Sequence, residues 1–295
     1  MPQGPPAKYT YSALNDPSVE IRVLELQPGV EPDPIHCSLI PVHLGSEGIT
    51  YEAVSYTWGA EEASCSIRIG NPTFPVRPNL MAALKRLRKP DSARRLWVDA
   101  VCINQDDIPE RHAQVRMMLP IFQTATRVVV WLGEVTDDSH VAMHPFGFMH
   151  NFHAFTFELW EAALSPSSQW WQAFAKLIGW PWWRRTWVIR EVVAAEAVLV
   201  LCGPEGLPWE RLAFNLAQLT VTMHHLGGKA PLRLDADTSD IAAFRQQYQS
   251  DQWQRRGLLK TLSKFRSWQA TDARDKVYGL LGLAAADAGG DRSGL

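Results

Sequence analysis

The sequence predicts an α/β domain with a mostly parallel sheet flanked by helices, on three observations. Residues 96–133, LWVDAVCINQDDIPERHAQVRMMLPIFQTATRVVVWLG, read as a buried run, a polar loop, an amphipathic helix and a second buried run. That is one βαβ unit, and it implies parallel strands. Apolar or β-branched runs recur near 52–57, 96–101, 127–132 and 197–202, near-continuous as strands covered on both faces are. The chain has 295 residues, 46 % of them hydrophobic, enough for a sizeable core in one large domain or two small ones.

The elements follow in order. Residues 1–10 are Pro-rich and read as a disordered N-terminus. Ile21–Leu26 alternates apolar and polar, and Ile35–Leu44 gives a second short strand; both fit antiparallel additions at the sheet edge. Tyr51–Gly59 (YEAVSYTWG) is a strand with a polar-aromatic end. Residues 66–69 and 73–76 flank Gly70-Asn71-Pro72 as a hairpin, and Asn79 is placed to cap a helix over Leu80–Arg88. In the central unit, Pro109 suits an early helical position, Glu110 suits the first turn, and Val115, Met118, Leu119 and Phe122 mark the inward face.

About residues 134–180 form a helical insertion or lid carrying His140, His144, His150 and His153. A helix over 182–195 leads into a strand at 197–202. A helix over Trp209–His225 buries Leu212, Leu216 and Leu219. Lys229–Asp240 reads as a polar loop, Ile241–Arg266 as a helix, and Ala270–Leu283 as a closing helix capped by Thr271 or Asp272. Residues 284–295 are small, Gly-rich and linker-like, so one domain spans 11–283.

Composition excludes several function classes. A net charge of −2 with no basic face argues against nucleic acid as a partner. Neither a signal-peptide core nor a run of membrane-spanning length occurs, so the expectation is a soluble, cytoplasmic protein. Cys37, Cys65, Cys102 and Cys202 are widely spaced and read as free thiols of a reducing compartment. The histidines lack an HExxH or a paired cysteine, so no metal site is expected. Dinucleotide GxGxxG, Walker A and GxSxG patterns are all missing, which removes Rossmann dehydrogenases and P-loop NTPases and weakens a Ser hydrolase.

Two places invite chemistry. Asp99 interrupts an apolar run, and a carboxylate there is costly unless paired or near a site. It begins the stretch to Asp107 at a strand's carboxyl end, where parallel sheets collect ligands. Asp99 either serves such a site, caps its loop or pairs with Arg127. Trp187 and Glu191 share a helix face four residues apart. Glu191 either faces a site or pairs with Arg184 or Arg185 on the helix surface. Glu110 is an ordinary first-turn residue or a second candidate carboxylate, and Asp272, Arg274 and Asp275 read as a structural ion-pair network.

Four blocks in order, YEAVSYTWG, residues 96–133, WWRRTWVIREVVAAEAVLVLCG and ATDARDKVYGLLGL, resemble the heterokaryon incompatibility (HET) domain of filamentous fungi over about 11–283. The resemblance implies an effector role in non-self recognition and regulated cell death, joined to an upstream recognition or oligomerisation module. A weaker resemblance is to the TIR domain. It implies a TIR-like, flavodoxin-like sheet, with Val54-Ser55-Tyr56 ending the first strand and Trp187 and Glu191 at the Trp-to-Glu spacing. This chain departs from that pattern by the insertion at 134–180 and by Val188 where a cysteine often follows the tryptophan.

By that second resemblance Glu191 is the catalytic carboxylate of an NAD glycohydrolase. NAD is then a substrate, with no cofactor bound permanently. The implied surroundings are Ser55, Tyr56 and Trp58 lining the crevice, Asp99 and Asn104 on the ribose or holding the loop, Trp187 stacking on a flat ring, and Arg190 or Arg185 facing the diphosphate. Such an enzyme is expected to act by self-association. The alternative is a non-enzymatic death-signalling module working by oligomerisation and protein–protein contacts.

Overall fold

The computed structural model describes residues 7–148, 165, 167–225, 236–250 and 257–283. The chain divides into two compact units, Met1–Glu134 and Val135–Leu295. The α/β class holds.

Among its described residues the first unit holds seven strands, β1 (Glu20–Leu26), β2 (His36–His43), β3 (Glu52–Tyr56), β4 (Cys65–Ile69), β5 (Thr73–Val76), β6 (Arg94–Trp97) and β7 (Arg127–Trp131), ordered β5-β4-β2-β1-β6-β3-β7. β3 lies between β6 and β7 and runs parallel to both. The predicted βαβ crossover therefore passes over β3 rather than joining neighbours. β1 pairs antiparallel with both β2 and β6, as the edge-addition reading expects, while β2 meets β4 in parallel and β4–β5 is the predicted hairpin. The sheet is mixed, with parallel pairing concentrated in β6-β3-β7. In that block Ala53, Val54, Val128, Val129 and Val130 are buried, which is why the strands read as continuous apolar runs.

Charge marks the start of the parallel block. Glu52 pairs with both Arg94 and Arg127, one from each neighbouring strand. Burial raises the Glu52 carboxyl, but the two guanidinium groups outweigh it and hold it below its ordinary value. Arg127 is thus committed to Glu52, and its suggested pairing with Asp99 is replaced by this bridge.

Three local expectations change. The strand expected to reach 101 stops at Trp97, and Asp99–Cys102 forms a helical turn, α2. Asp99 is therefore at a helix start, where its Oδ1 accepts from Ala100 N–H at 2.7 Å, rather than inside a strand. α1 (Pro78–Leu87) buries Leu80, Ala83, Leu84 and Leu87 as expected, but Arg77 is its N-cap residue. Asn79 instead donates to Thr57 O at 2.7 Å and accepts from Trp131 Nε1 at 2.9 Å, tying the ends of β3 and β7 together. Residues 7–10, expected to be disordered, are anchored: Tyr9 N–H donates to Thr73 O at 2.9 Å. Residues 1–6 lie outside the described residues.

α3 (Ile108–Thr124) begins as predicted, with the Asp107 side chain accepting from Glu110 N–H at 3.0 Å. Its buried face is rotated, however, to Glu110, Gln114, Met118, Ile121 and Phe122. Val115 and Leu119 are only half-buried. The reason is polar. Glu110 meets Arg22 of β1 in a two-pronged ion pair at 2.6 and 2.9 Å, and Gln114 donates to Pro17 O and Glu20 O.

The second unit contains α4 (Asp137–Phe148), α5 (Gln169–Ile178), a 3-10 turn over Pro181–Arg184, α6 (Thr186–Val193), β8 (Val198–Cys202), β9 (Glu205–Pro208), α7 (Trp209–His225), α8 (Ala236–Gln249), α9 (Leu258–Lys264) and α10 (Asp275–Tyr278). The helix predicted over 182–195 is the 3-10 turn plus α6, separated by the extended Arg185. Its β-like backbone pairs with Gln269, and Gln269 N–H donates to Arg184 O at 2.6 Å. β9 pairs antiparallel with β8, a hairpin that the sequence pattern did not suggest. At its turn Gly203 has φ +53°, and a Cβ there would stand 2.5 Å from Val135 Cβ, so only glycine fits.

α7 buries Leu212, Leu216 and Leu219 as predicted. The polar loop expected over 229–240 falls largely outside the described residues, and 236–240 is already α8. The helix predicted over 241–266 is represented by α8 and α9, with 251–256 outside the described residues. The closing helix of 270–283 contracts to α10, preceded by Asp272, which accepts from Arg274 N–H and pairs with its guanidinium. His150, His153 and residues 284–295 lie outside the described residues.

Two stability outcomes follow. Arg22→Ala leaves the Glu110 carboxylate buried without its partner, and a loss of about 3–5 kcal/mol is expected in urea unfolding. Replacing both, Arg22→Met with Glu110→Leu, is expected to recover part of it. The lowered Glu52 pKa means that its contribution is complete above its ordinary value of 4.5 and is lost as pH falls through the lower folded value. The difference in urea midpoint between wild type and Glu52→Gln is therefore expected to be largest near neutrality and to shrink in acid.

Candidate functional site

The sequence-derived candidates form two groups, each within one unit. In the first unit, Ser55 and Tyr56 close β3 and are buried. Trp58 follows in the turn that Asn79 secures, and its Nε1 donates to Asp99 Oδ2 at 3.0 Å. Trp58 and Asp99, placed separately around the implied crevice by the sequence, are joined by this direct hydrogen bond. Gln105 Nε2 donates to Asp99 O at 2.9 Å, and Asn104 Oδ1 accepts from Asp106 N–H at 3.3 Å. Asn104 N–H in turn donates to Glu110 Oε1 at 2.8 Å. Glu110 is thus the first-turn residue the sequence placed, and, buried, it also supports this loop.

Arg77 joins this group unpredicted. Its Nη1 donates to Gly59 O, and its guanidinium carbon lies 5.8 Å from the Trp58 ring centroid. The only hint in the sequence is its place just before Pro78 at the start of α1, which does not reveal that the turn after β3 folds back to it.

In the second unit, α6 is buried along nearly its whole length: Thr186, Val188, Ile189, Arg190, Glu191, Val192 and Val193 are all inside. Glu191 is 4 % exposed, so it is a buried carboxylate and not one on the helix surface. Arg190, at 3 % exposure, places its guanidinium 4.2 Å over the Trp187 ring and donates to Tyr278 O at 3.3 Å. Burial pulls the Arg190 pKa down to about 10, opposed by the charges of Glu191 and Asp275. Trp187 Nε1 donates to Asp275 Oδ2 at 3.1 Å. Asp275, expected in an ion-pair network with Asp272 and Arg274, serves this indole.

A further residue holds α6 from its end. Arg245 of α8 is buried and donates to Val192 O, Ala195 O and Glu196 O. It satisfies carbonyls that a helix C-terminus leaves open, with a positive charge where the helix dipole favours one. Periodicity marks Arg245 only as a helix residue, so this role was hidden.

Among the described residues no group of three or more His, Cys, Asp or Glu is placed to hold a metal ion. No helix among them is long and apolar enough to cross a membrane. Cys37, Cys102 and Cys202 are buried and free, and Cys65 is half-buried. Burial pushes the thiols of Cys37 and Cys102 up to about 12, the opposite of what a thiolate nucleophile needs.

Comparison with known proteins bears on the same residues. The family described as Heterokaryon incompatibility protein (HET) matches residues 51–191. The candidates, from Ser55 to Glu191, all fall inside that segment. A curated relative, Heterokaryon incompatibility protein 6, OR allele, of Neurospora crassa, is 27 % identical over 337 residues, covering 94 % of this chain and 49 % of the relative. The chain spans about half the length of that relative. No solved structure gives a significant match. The resemblance to the HET domain read from the sequence blocks is thus upheld over residues 51–191.

Thiol labelling tests the burial of the cysteines. Cys65 is expected to react first with a maleimide on the folded protein, whereas Cys37 and Cys102 react only after denaturation, as peptide mass mapping will read.

Proposed function

We propose that this chain is an effector domain of fungal non-self recognition and regulated cell death, and that it hydrolyses NAD at the nicotinamide–ribose bond with Glu191 as its carboxylate. The recognition role rests on the HET match and on the Neurospora relative. The chemical reading rests on one observation above the rest. Glu191 is a carboxylate kept out of bulk water on a well-packed helix, four residues after Trp187. Burying a carboxylate is costly, and such groups collect where function needs them.

In the proposed reaction the C1′–N bond of the nicotinamide riboside breaks. Its electron pair goes to the ring nitrogen, which neutralises the pyridinium, so no acid is required. Positive charge develops at C1′, and a fixed carboxylate nearby stabilises it, as in glycoside hydrolysis. Water then adds its oxygen to C1′ and gives up a proton to solvent. A rigid helix end suits this task because a catalytic group must be held within a fraction of an ångström. Arg245, by holding the carbonyls at the end of α6, acts as a positioning residue.

A second reading, a signalling module that works by assembly, is favoured by a different observation. Phe214 and Val221 on α7 are 48 % and 52 % exposed and seven residues apart, hence on one helix face. A face of this kind suits self-association.

The test is NAD consumption by purified protein, free and fused to an oligomerising scaffold. Wild type is expected to release nicotinamide, and Glu191→Gln is expected to lose at least a hundredfold in rate with its unfolding transition retained. If no assembled form cleaves NAD while cell toxicity persists in Glu191→Gln and disappears in Phe214→Asp, the enzymatic reading falls and assembly takes its place.

A further inference from the structure

We infer that Arg77 is the phosphate-contacting residue of an anion site in the first unit, and that its ligand is a diphosphate. The inference rests on the geometry of that unit and stands independently of the proposed reaction. Sequence reasoning gave the diphosphate to Arg190 or Arg185. Arg190 is poorly suited to it. Its guanidinium is buried, lies over Trp187 and bonds the Tyr278 carbonyl. A phosphate reaching it would have to displace packed protein.

Arg77 has the opposite character. It is half-buried, with its stem fixed at the first turn of α1. Nη1 is anchored on Gly59 O, and the plane is backed by Trp58. Among the described residues its Nε and Nη2 have no protein partner, which leaves donors for phosphate oxygens. Trp58 is itself immobilised by Asp99, and the turn is immobilised by Asn79. The guanidinium is thus pre-positioned at the carboxyl end of β3, where parallel strands present their ligands. Arginine in such a setting binds phosphate through paired, charge-assisted hydrogen bonds.

The local charges are mixed, which tests the idea further. Asp99 carries a negative charge on the indole's edge, and Glu61 and Glu62 are exposed in the following loop. Asp99 is occupied by Trp58 Nε1 and Ala100 N–H, and among the described residues neither Glu61 nor Glu62 bonds Arg77. The site should therefore favour a ligand with concentrated charge, a diphosphate over a carboxylate.

The experiment uses the whole chain with inorganic pyrophosphate and acetate as probes, in wild type, Arg77→Gln and Arg190→Lys. By calorimetry, pyrophosphate is expected to bind wild type. Affinity is expected to fall about tenfold or more in Arg77→Gln, with the ligand-free melting temperature unchanged, because one lost charge-assisted contact is worth roughly that factor. Arg190→Lys should leave pyrophosphate affinity within about twofold, and acetate should not compete. No pyrophosphate binding by wild type, or equal affinity in Arg77→Gln, would each overturn the inference.

Discussion

Arg22 of β1 is 2 % exposed, and Glu110 at the start of α3 is nearly as deep. Taking two such charges out of water costs several kcal/mol each, so the pair survives only with good geometry and with its remaining donors and acceptors met. Both conditions hold. The two prongs measure 2.6 and 2.9 Å, Arg22 also donates to Ser12 O and Cys102 O, and Glu110 accepts from Asn104 N–H. One ion pair therefore connects the N-terminal segment, the edge of the parallel block, the end of α2 and the loop that carries Asn104. It also explains why α3 turns a polar residue inward and rotates its apolar stripe away from the positions that periodicity favours.

The second unit solves a similar problem differently. α6 has no polar face to give to water, because nearly every residue from Thr186 to Val193 is buried. The polar groups around it are accommodated one by one. Arg190 spreads over an indole and meets a carbonyl, Asp275 of α10 takes the indole N–H, and Arg245 of α8 closes the helix end. The ATDARDKVYG block thus belongs to the same local structure as the WWRRTWVIRE block. Thr186 Oγ1 donating to Gln269 O at 3.1 Å, and the tight approach of Gly279 to Thr186, show how closely the two segments meet.

These arrangements commit most of the candidate groups to structure. Trp187 and Arg190 are committed to each other, Trp58 is committed to Asp99, and Asn79 spans two strand ends. Glu191 is a buried carboxylate on a well-packed helix, and Arg77 is a half-buried guanidinium with donors in hand. The HET match covers both residues.

Periodicity and composition were sufficient for what depends on neighbours in sequence. The α/β class, β1 to β5, the span of α3, β7, β8 and the inward leucines of α7 were all legible, because burial of a regular element imposes a period of two or of 3.6 on its apolar residues. The family resemblance was legible too, since it lies in contiguous blocks. What depends on distant partners was not. The placement of β3 between β6 and β7, the end of β6 at Trp97, Asn79 as a clasp instead of a cap, and the burial of Arg22, Glu110, Arg190, Glu191 and Arg245 were decided by tertiary contacts. A charged residue looks solvent-bound in sequence because burial is costly by default. Only the folded chain supplies the far-off carbonyl, indole or opposite charge that reverses that default.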